Sequence, residues 1–253
     1  YQLNSNGMKI LVCISKTPDT TAKIAFKDGN TSFDEAGVQF IMNPYDEWYA
    51  LVRAVELVEA AGGSVTLMNV GPASNDTIIR KGLAIGADDA VRIDAEPSSA
   101  YFVAAQIAAY AKDKSFDLIM LGKETIDYNG SEVGSMLAQL MDYPFISFAS
   151  EMKVEGSEVI LSREIEGGTE VLSTSLPLVV SAAKGMAEQR IPNMKGIMGA
   201  KKKPLEVIAP VAIEERTRFT GFTLPDAKGA VRMIAPDDME ELVRLLHEEA
   251  KVI

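Results

Sequence analysis

Four apolar runs of strand length alternate with stretches of helical periodicity through the first half of the chain, and this alternation limits the fold more than any other feature. The strand candidates are KILVCIS (9–15), SVTLMNV (64–70), DAVRID (89–94) and DLIMLG (117–122); helices are predicted over about 44–61, 75–85 and 98–112. The order is βαβαβαβ. Strands that are apolar almost throughout, separated by amphipathic helices, make a parallel sheet covered on both faces with right-handed crossovers. Asn75 or Asp76 is the predicted cap of the second helix and Gly86 its end. The fold class is therefore α/β, a doubly wound and mostly parallel sheet.

After a helix predicted over 131–141 the pattern changes. Short alternating runs turn at Glu155–Gly156 and Gly167–Gly168, as antiparallel strands added to the sheet would, and PLVVSAA (177–183) reads as a buried central strand. Beyond Lys184 come a loop with Pro192, Gly196 and Gly199 among methionines, a strand PLEVIA (204–209), a Pro/Gly-punctuated stretch to Pro236 and a capped helix over 237–251. So few apolar positions do not build an independent core, and an arm wrapped around a partner is the expectation. The expected organisation is a remnant at 1–7, a nucleotide-binding domain at 8–189, a partner-recognition loop at 190–200 and a C-terminal arm at 201–253. YQLNSNG is read as a remnant because it has neither a basic n-region nor an apolar h-region.

Composition removes several functions. A net charge of −11 with no basic face argues against nucleic acid as the main partner. One cysteine, Cys13, excludes an internal disulfide framework and a Cys-rich zinc or iron–sulfur site. Within its apolar strand Cys13 reads as a small buried hydrophobe, and His247, in a polar helix without a spaced ligand partner, as a surface residue. No run of about 18 apolar residues is present. There is no Walker A lysine motif, no G-x-G-x-x-G after the first strand and no catalytic triad, so binding is favoured over catalysis.

Open α/β sheets bind ligands beyond the carboxyl ends of their strands. Those ends carry Cys13–Ser15, NVGPAS and GKETIDYNGSEVG. In the last, Asn129, Gly130 and Ser131 allow a tight turn, Ser131 is the predicted cap, and the following helix directs free N–H groups outward, a setting that attracts phosphate. Asp127 suits a ribose hydroxyl. Asn43, extended by Pro44, offers an amide donor and acceptor to an adenine edge.

Two stretches carry a resemblance. REIEGGTEVLSTSLPLVVSA (163–182) resembles the signature of the electron-transfer flavoprotein β subunit, and GIMGAKKKPLEVI (196–208) resembles that family's partner-recognition loop with the basic segment after it. MNP at 42–44, GPA at 71–73, GAD at 86–88 and LGKETID at 121–127 extend the similarity over nearly the whole chain from Met8. The resemblance implies a Rossmann-like, adenine-nucleotide-binding β subunit of a heterodimer whose α subunit holds most of the FAD. It implies a structural AMP at Cys13, Asn43, Val70, Gly122, Asp127 and the turn Asn129, Gly130, Ser131, Glu132, Val133 and Gly134. It also implies docking of acyl-CoA dehydrogenases or similar flavoproteins at 190–200, with Met194 in the place where the family has leucine, Ile197 beside it, and Lys201, Lys202 and Lys203 meeting acidic partner surfaces. Electrons would pass to a quinone-linked oxidoreductase, with no catalytic residue in this chain, in the bacterial cytoplasm or the mitochondrial matrix of a eukaryote. Two alternatives stand beside this: an electron-bifurcating β subunit with a second FAD in place of AMP, whose pattern shares Val133–Gly134, and a stand-alone adenine-nucleotide-binding protein.

Overall fold

In the computed structural model, which describes residues 7–253, the chain runs through thirteen strands and six α-helices; apart from Gly7, the expected remnant at 1–7 lies outside the described residues. The elements are β1 (Met8–Cys13), β2 (Lys16–Pro18), β3 (Phe26–Lys27), β4 (Ser32–Phe33), β5 (Phe40–Met42), α1 (Asp46–Ala61), β6 (Gly63–Val70), α2 (Asp76–Ile85, after a 3-10 turn Ala73–Asn75), β7 (Asp89–Ile93), α3 (Ala100–Ala111), β8 (Leu118–Gly122), α4 (Val133–Met141), β9 (Phe145–Glu155), β10 (Glu158–Ile165), β11 (Gly168–Ser175), β12 (Leu178–Ala182), α5 (Met194–Ala200), β13 (Leu205–Ile208) and α6 (Met239–Arg244). Nine strands form one sheet in the order β11-β10-β9-β12-β8-β1-β6-β7-β13. From β9 to β13 every pair is parallel, while β10 and β11 join antiparallel.

Strand periodicity divides the core between the two faces. Ile10 and Val12 point into the layer of α1 and α2 with Leu51, Leu67, Met120 and Val180. Leu11 and Cys13 point into the layer of α3 and α4 with Met68, Ile119, Leu137 and Val179. PLVVSAA is central as expected: all five residues of β12 are buried between β9 and β8.

Several local expectations yield to other hydrogen-bond partners. Asn75 is already helical (φ −77°) and turns its amide inward to donate to Asn69 Oδ1, while Asp76 receives the Arg92 guanidinium at 2.8 Å, so neither caps α2. Ser131 does not cap α4 either: Glu132 stands at the cap position without a side-chain bond, and the Ser131 hydroxyl reaches Glu124 at 3.4 Å. Residues 194–200, expected as loop, are helical, because Asn193 accepts a hydrogen bond from the Gly196 amide at 2.8 Å and caps the turn.

Leu205–Ile208, expected at the root of the arm, is instead the edge strand of the main sheet, in register with Ala90–Ile93. The main compact unit extends to Thr220; a second consists of Ala25–Phe33 with Gly221–Ile253. Within the second, Phe26 stacks on Phe222 with centroids 4.9 Å apart, and Asp238 caps α6. The helix expected over 237–251 is α6 followed by a wider π-helical turn at Leu245–Glu249, where His247 is exposed.

Lys203 parts from its two neighbours. Lys201 and Lys202 are exposed, but the Lys203 ammonium donates to the Leu83 carbonyl at 3.0 Å and the Ala87 carbonyl at 2.5 Å, closing the end of α2. A cation there also faces the negative pole of the helix. Lys203→Met is expected to cost about 1–3 kcal/mol, the loss of charge-assisted bonds, whereas Lys202→Met stays within about 0.5 kcal/mol; urea denaturation midpoints measure both.

Candidate functional site: a crevice at the strand switch

The chain leaves β1 toward β6 on one side and later returns to its other side as β8, so the sheet switches direction between β1 and β8. At such a switch the loops following the strands diverge and leave a crevice. Its floor is the ends of β1 and β8. Gly122 closes β8 against the start of α1: a Cβ there would lie 2.8 Å from both the Glu47 backbone nitrogen and its Cγ, so no larger residue fits without moving the helix.

Glu47 is the central polar group, and sequence reading passed over it. It is 5% exposed, and its carboxylate accepts a 2.6 Å hydrogen bond from the Ser15 amide just past β1. Burial pushes its pKa up to about 8 against the Ser15 hydrogen bond, with the Asp127 and Asp46 carboxylates adding to the rise. Asp46 is raised to about 6, chiefly by burial, with Lys123 opposing and Glu124 assisting. Near neutral pH the crevice is thus less negative than its residue count suggests. The only signal in the sequence was an acidic pair opening a helix, which also suits an ordinary helix dipole.

The predicted residues take distinct places. Asn43 is fully buried and commits its amide to the loop after β8, donating to the Glu124 carbonyl at 3.0 Å and accepting from the Ile126 amide at 3.0 Å. It shapes the wall of the crevice by fixing that loop. Cys13 and Val70 are buried at the ends of β1 and β6, and the Cys13 thiol is held protonated by burial and by neighbouring Glu47. Asp127 is exposed and accepts from the Tyr128 amide at 3.0 Å. Asn129, Gly130, Ser131 and Glu132 are exposed, Asn129 and Ser131 with φ of 50° and 53°, in the left-handed region that reverses the chain sharply. Val133 and Gly134 begin α4, and Gly134 is pressed against the Phe145 ring, 2.9 Å from where a Cβ would be.

Away from the crevice, the segment after Arg190 presents an apolar ridge. Ile191, Met194 and Met198 are 79%, 72% and 67% exposed and Ile197 43%. Met194 and Ile197 were expected here; Ile191 and Met198 were not singled out, although α5 places Met194 and Met198 four residues apart on one face.

The raised acid at position 47 has a direct consequence for stability. A carboxyl whose pKa rises on folding binds its proton more tightly in the folded chain, so its contribution is complete below the unfolded value near 4.5 and is lost as pH rises through about 8. Glu47→Gln is expected to flatten the fall in denaturation midpoint between pH 5 and pH 9; an unchanged slope would assign that fall to other groups.

Comparisons with known proteins agree with this architecture. The model of the electron transfer flavoprotein domain matches residues 30–213. The chain is 36% identical to the electron transfer flavoprotein subunit beta of Bacillus subtilis, over 97% of this chain and 100% of that protein. It is 35% identical to the subunit of the same name from Syntrophomonas wolfei, over 88% of each, and 32% identical to that of Homo sapiens, over 97% and 99%. With the family signature running through β10 to β12 and relatives matched over nearly their full lengths, the chain belongs to the electron transfer flavoprotein family, as one of its β subunits.

Proposed function

We propose that this chain binds a structural AMP in the crevice, joins an α subunit that holds most of the FAD, and docks flavoprotein donors of the acyl-CoA dehydrogenase type through the ridge at 190–200. Electrons then pass through the flavin of the heterodimer to a quinone-linked oxidoreductase, and the chain itself acts as a carrier subunit without bond chemistry. The compartment in this reading is the bacterial cytoplasm or, in a eukaryote, the mitochondrial matrix.

What supports the reading is the mixed chemistry of the residues gathered after the carboxyl ends of β1, β6 and β8. An adenylate fits this residue set. Cys13 and Val70 offer a neutral, apolar end to a base, the exposed Asp127 carboxylate suits a ribose hydroxyl beside its bond from the Tyr128 amide, and the exposed turn 129–132 leads into the first N–H groups of α4, which no helical carbonyl can satisfy. A phosphate at those amides gains on the order of 0.3–1 kcal/mol per favourable contact with the helix pole. The protons held on Glu47 and, in part, Asp46 limit repulsion of the anion. AMP in such a place supplies rigidity: it would tie the loops after β1, β6 and β8 together. The flavin is assigned mostly to the α subunit, with this chain completing its site.

Lys201 and Lys202 flank the ridge and suit a partner with an acidic rim, where they raise the encounter rate more than the final affinity. Lys203 has a different task at the end of α2.

Mass spectrometry of the nucleotides released on denaturing the purified heterodimer is expected to find one AMP and one FAD. Two FAD molecules without AMP would instead select the bifurcating form, and no nucleotide at all would remove the reading. Met194→Glu is expected to slow reduction by an acyl-CoA dehydrogenase about tenfold, the effect of losing one central apolar anchor, with AMP and FAD content unchanged; stopped-flow reduction measures the rate.

A further inference from the structure

One helix holds Arg190 by both its ends. The Arg190 carbonyl accepts a hydrogen bond from the Trp48 indole at 3.1 Å, and its guanidinium makes a forked pair with Glu59, both contacts 2.8 Å. Trp48 and Glu59 are eleven residues apart on α1, about three turns, so they share one face of the helix. A half-exposed ion pair contributes little stability by itself, but the fork fixes the direction of the arginine.

Beyond Arg190 the chain becomes the apolar ridge. Its far end is fastened separately, by the Arg80 guanidinium to the Ala200 carbonyl at 2.8 Å. Between these fastenings a cavity of about 520 Å³, lined by Ile191, Asn193 and Lys195 together with the end of α2, lies against the segment. The ridge is a span fastened at both ends and seated between them on α2, where a Cβ at Gly196 would lie 2.5 Å from the Ala84 carbonyl oxygen; Trp48 with Glu59 forms the fastening at its start.

That support belongs to the helix that walls the crevice. Asp46 and Glu47 immediately precede Trp48; Glu47 holds the Ser15 amide and is pressed against Gly122. We propose that Trp48 and Glu59 are positioning residues for the docking segment, and that a nucleotide in the crevice, by ordering the first turn of α1, steadies the ridge that a partner flavoprotein meets. This rests on the nucleotide and docking readings given above. The physical basis is shared order: once a ligand has restricted one part of a rigid element, the remainder costs less to immobilise.

Limited trypsin digestion of the full chain tests it, with and without added AMP, nucleotide content being measured in each sample. Cleavage after Lys195, in the middle of the span, is followed by peptide mass spectrometry. Wild-type chain is expected to be cut several-fold more slowly with AMP bound. Trp48→Phe, which keeps an aromatic ring but loses the indole donor, and Glu59→Gln are each expected to be cut about five-fold faster, the change in open population for losing one hydrogen bond. AMP should still bind both variants without restoring protection. A wild type that binds AMP and is cut at the same rate with and without it overturns the coupling, as do variants cut and protected like wild type. A wild type that binds no AMP removes the nucleotide reading and the coupling with it; faster cleavage of the nucleotide-free variants would then still identify Trp48 and Glu59 as supports of the span.

Discussion

The pairing of β1 with β6 on one side and β8 on the other decides where everything else in the main unit can go. A strand buried on both faces and paired along both edges has no solvent side, so its neighbours must be reached by crossovers over opposite faces. The two helix layers and the divergence of loops beyond Cys13 and Gly122 both follow. The crevice is a by-product of sheet topology, and the residues around it tune a space that the backbone already imposes.

That tuning works through scarcity of water. Asn43 spends one donor and one acceptor on the loop after β8, leaving that loop an inner wall fixed without a charge. Glu47 does the same for the exit of β1, yet it is ionisable, and removal from solvent makes its neutral form the cheaper one. An amide and a carboxylic acid thereby play similar structural parts, but only the second responds to pH.

Much of this was legible in the linear sequence, and the exceptions have identifiable physical causes. The strands at β1, β6, β7 and β8 and the central β12 announced themselves because a doubly covered sheet demands unbroken apolar runs. The added antiparallel strands were readable from alternation and from the glycines at their turns. Ser131 and Asn75 carried the right chemistry for helix caps, but nearby partners in the preceding loops, Glu124 and Asn69, claimed their side chains. The helix at Met194–Ala200 was hidden by Gly196 and Gly199, whose low propensity is offset by the Asn193 cap and by the Arg80 contact to Ala200. Lys203 was indistinguishable from Lys201 and Lys202 because its partners are carbonyls more than a hundred positions earlier in the chain. For Lys203 and for the Arg80 contact the missing information was a contact between residues remote in sequence; for Ser131, Asn75 and the Asn193 cap it was a choice among polar partners three to seven positions away. Around the crevice the strand-end positions could be read from topology, whereas Glu47 emerged only from its burial.

The edge strand β13 has a consequence for biosynthesis. β7 gains its second neighbour from Leu205–Ile208, which leaves the ribosome long after β7, β8 and β12 have been made. Until then the nascent polypeptide carries the β7 rim bare, with unpaired amides and carbonyls beside Val91 and Ile93, a surface prone to join the same rim on another unfinished molecule. A pause in translation ahead of Leu205 therefore prolongs the exposure of that rim, and a chaperone covering it would limit such pairing.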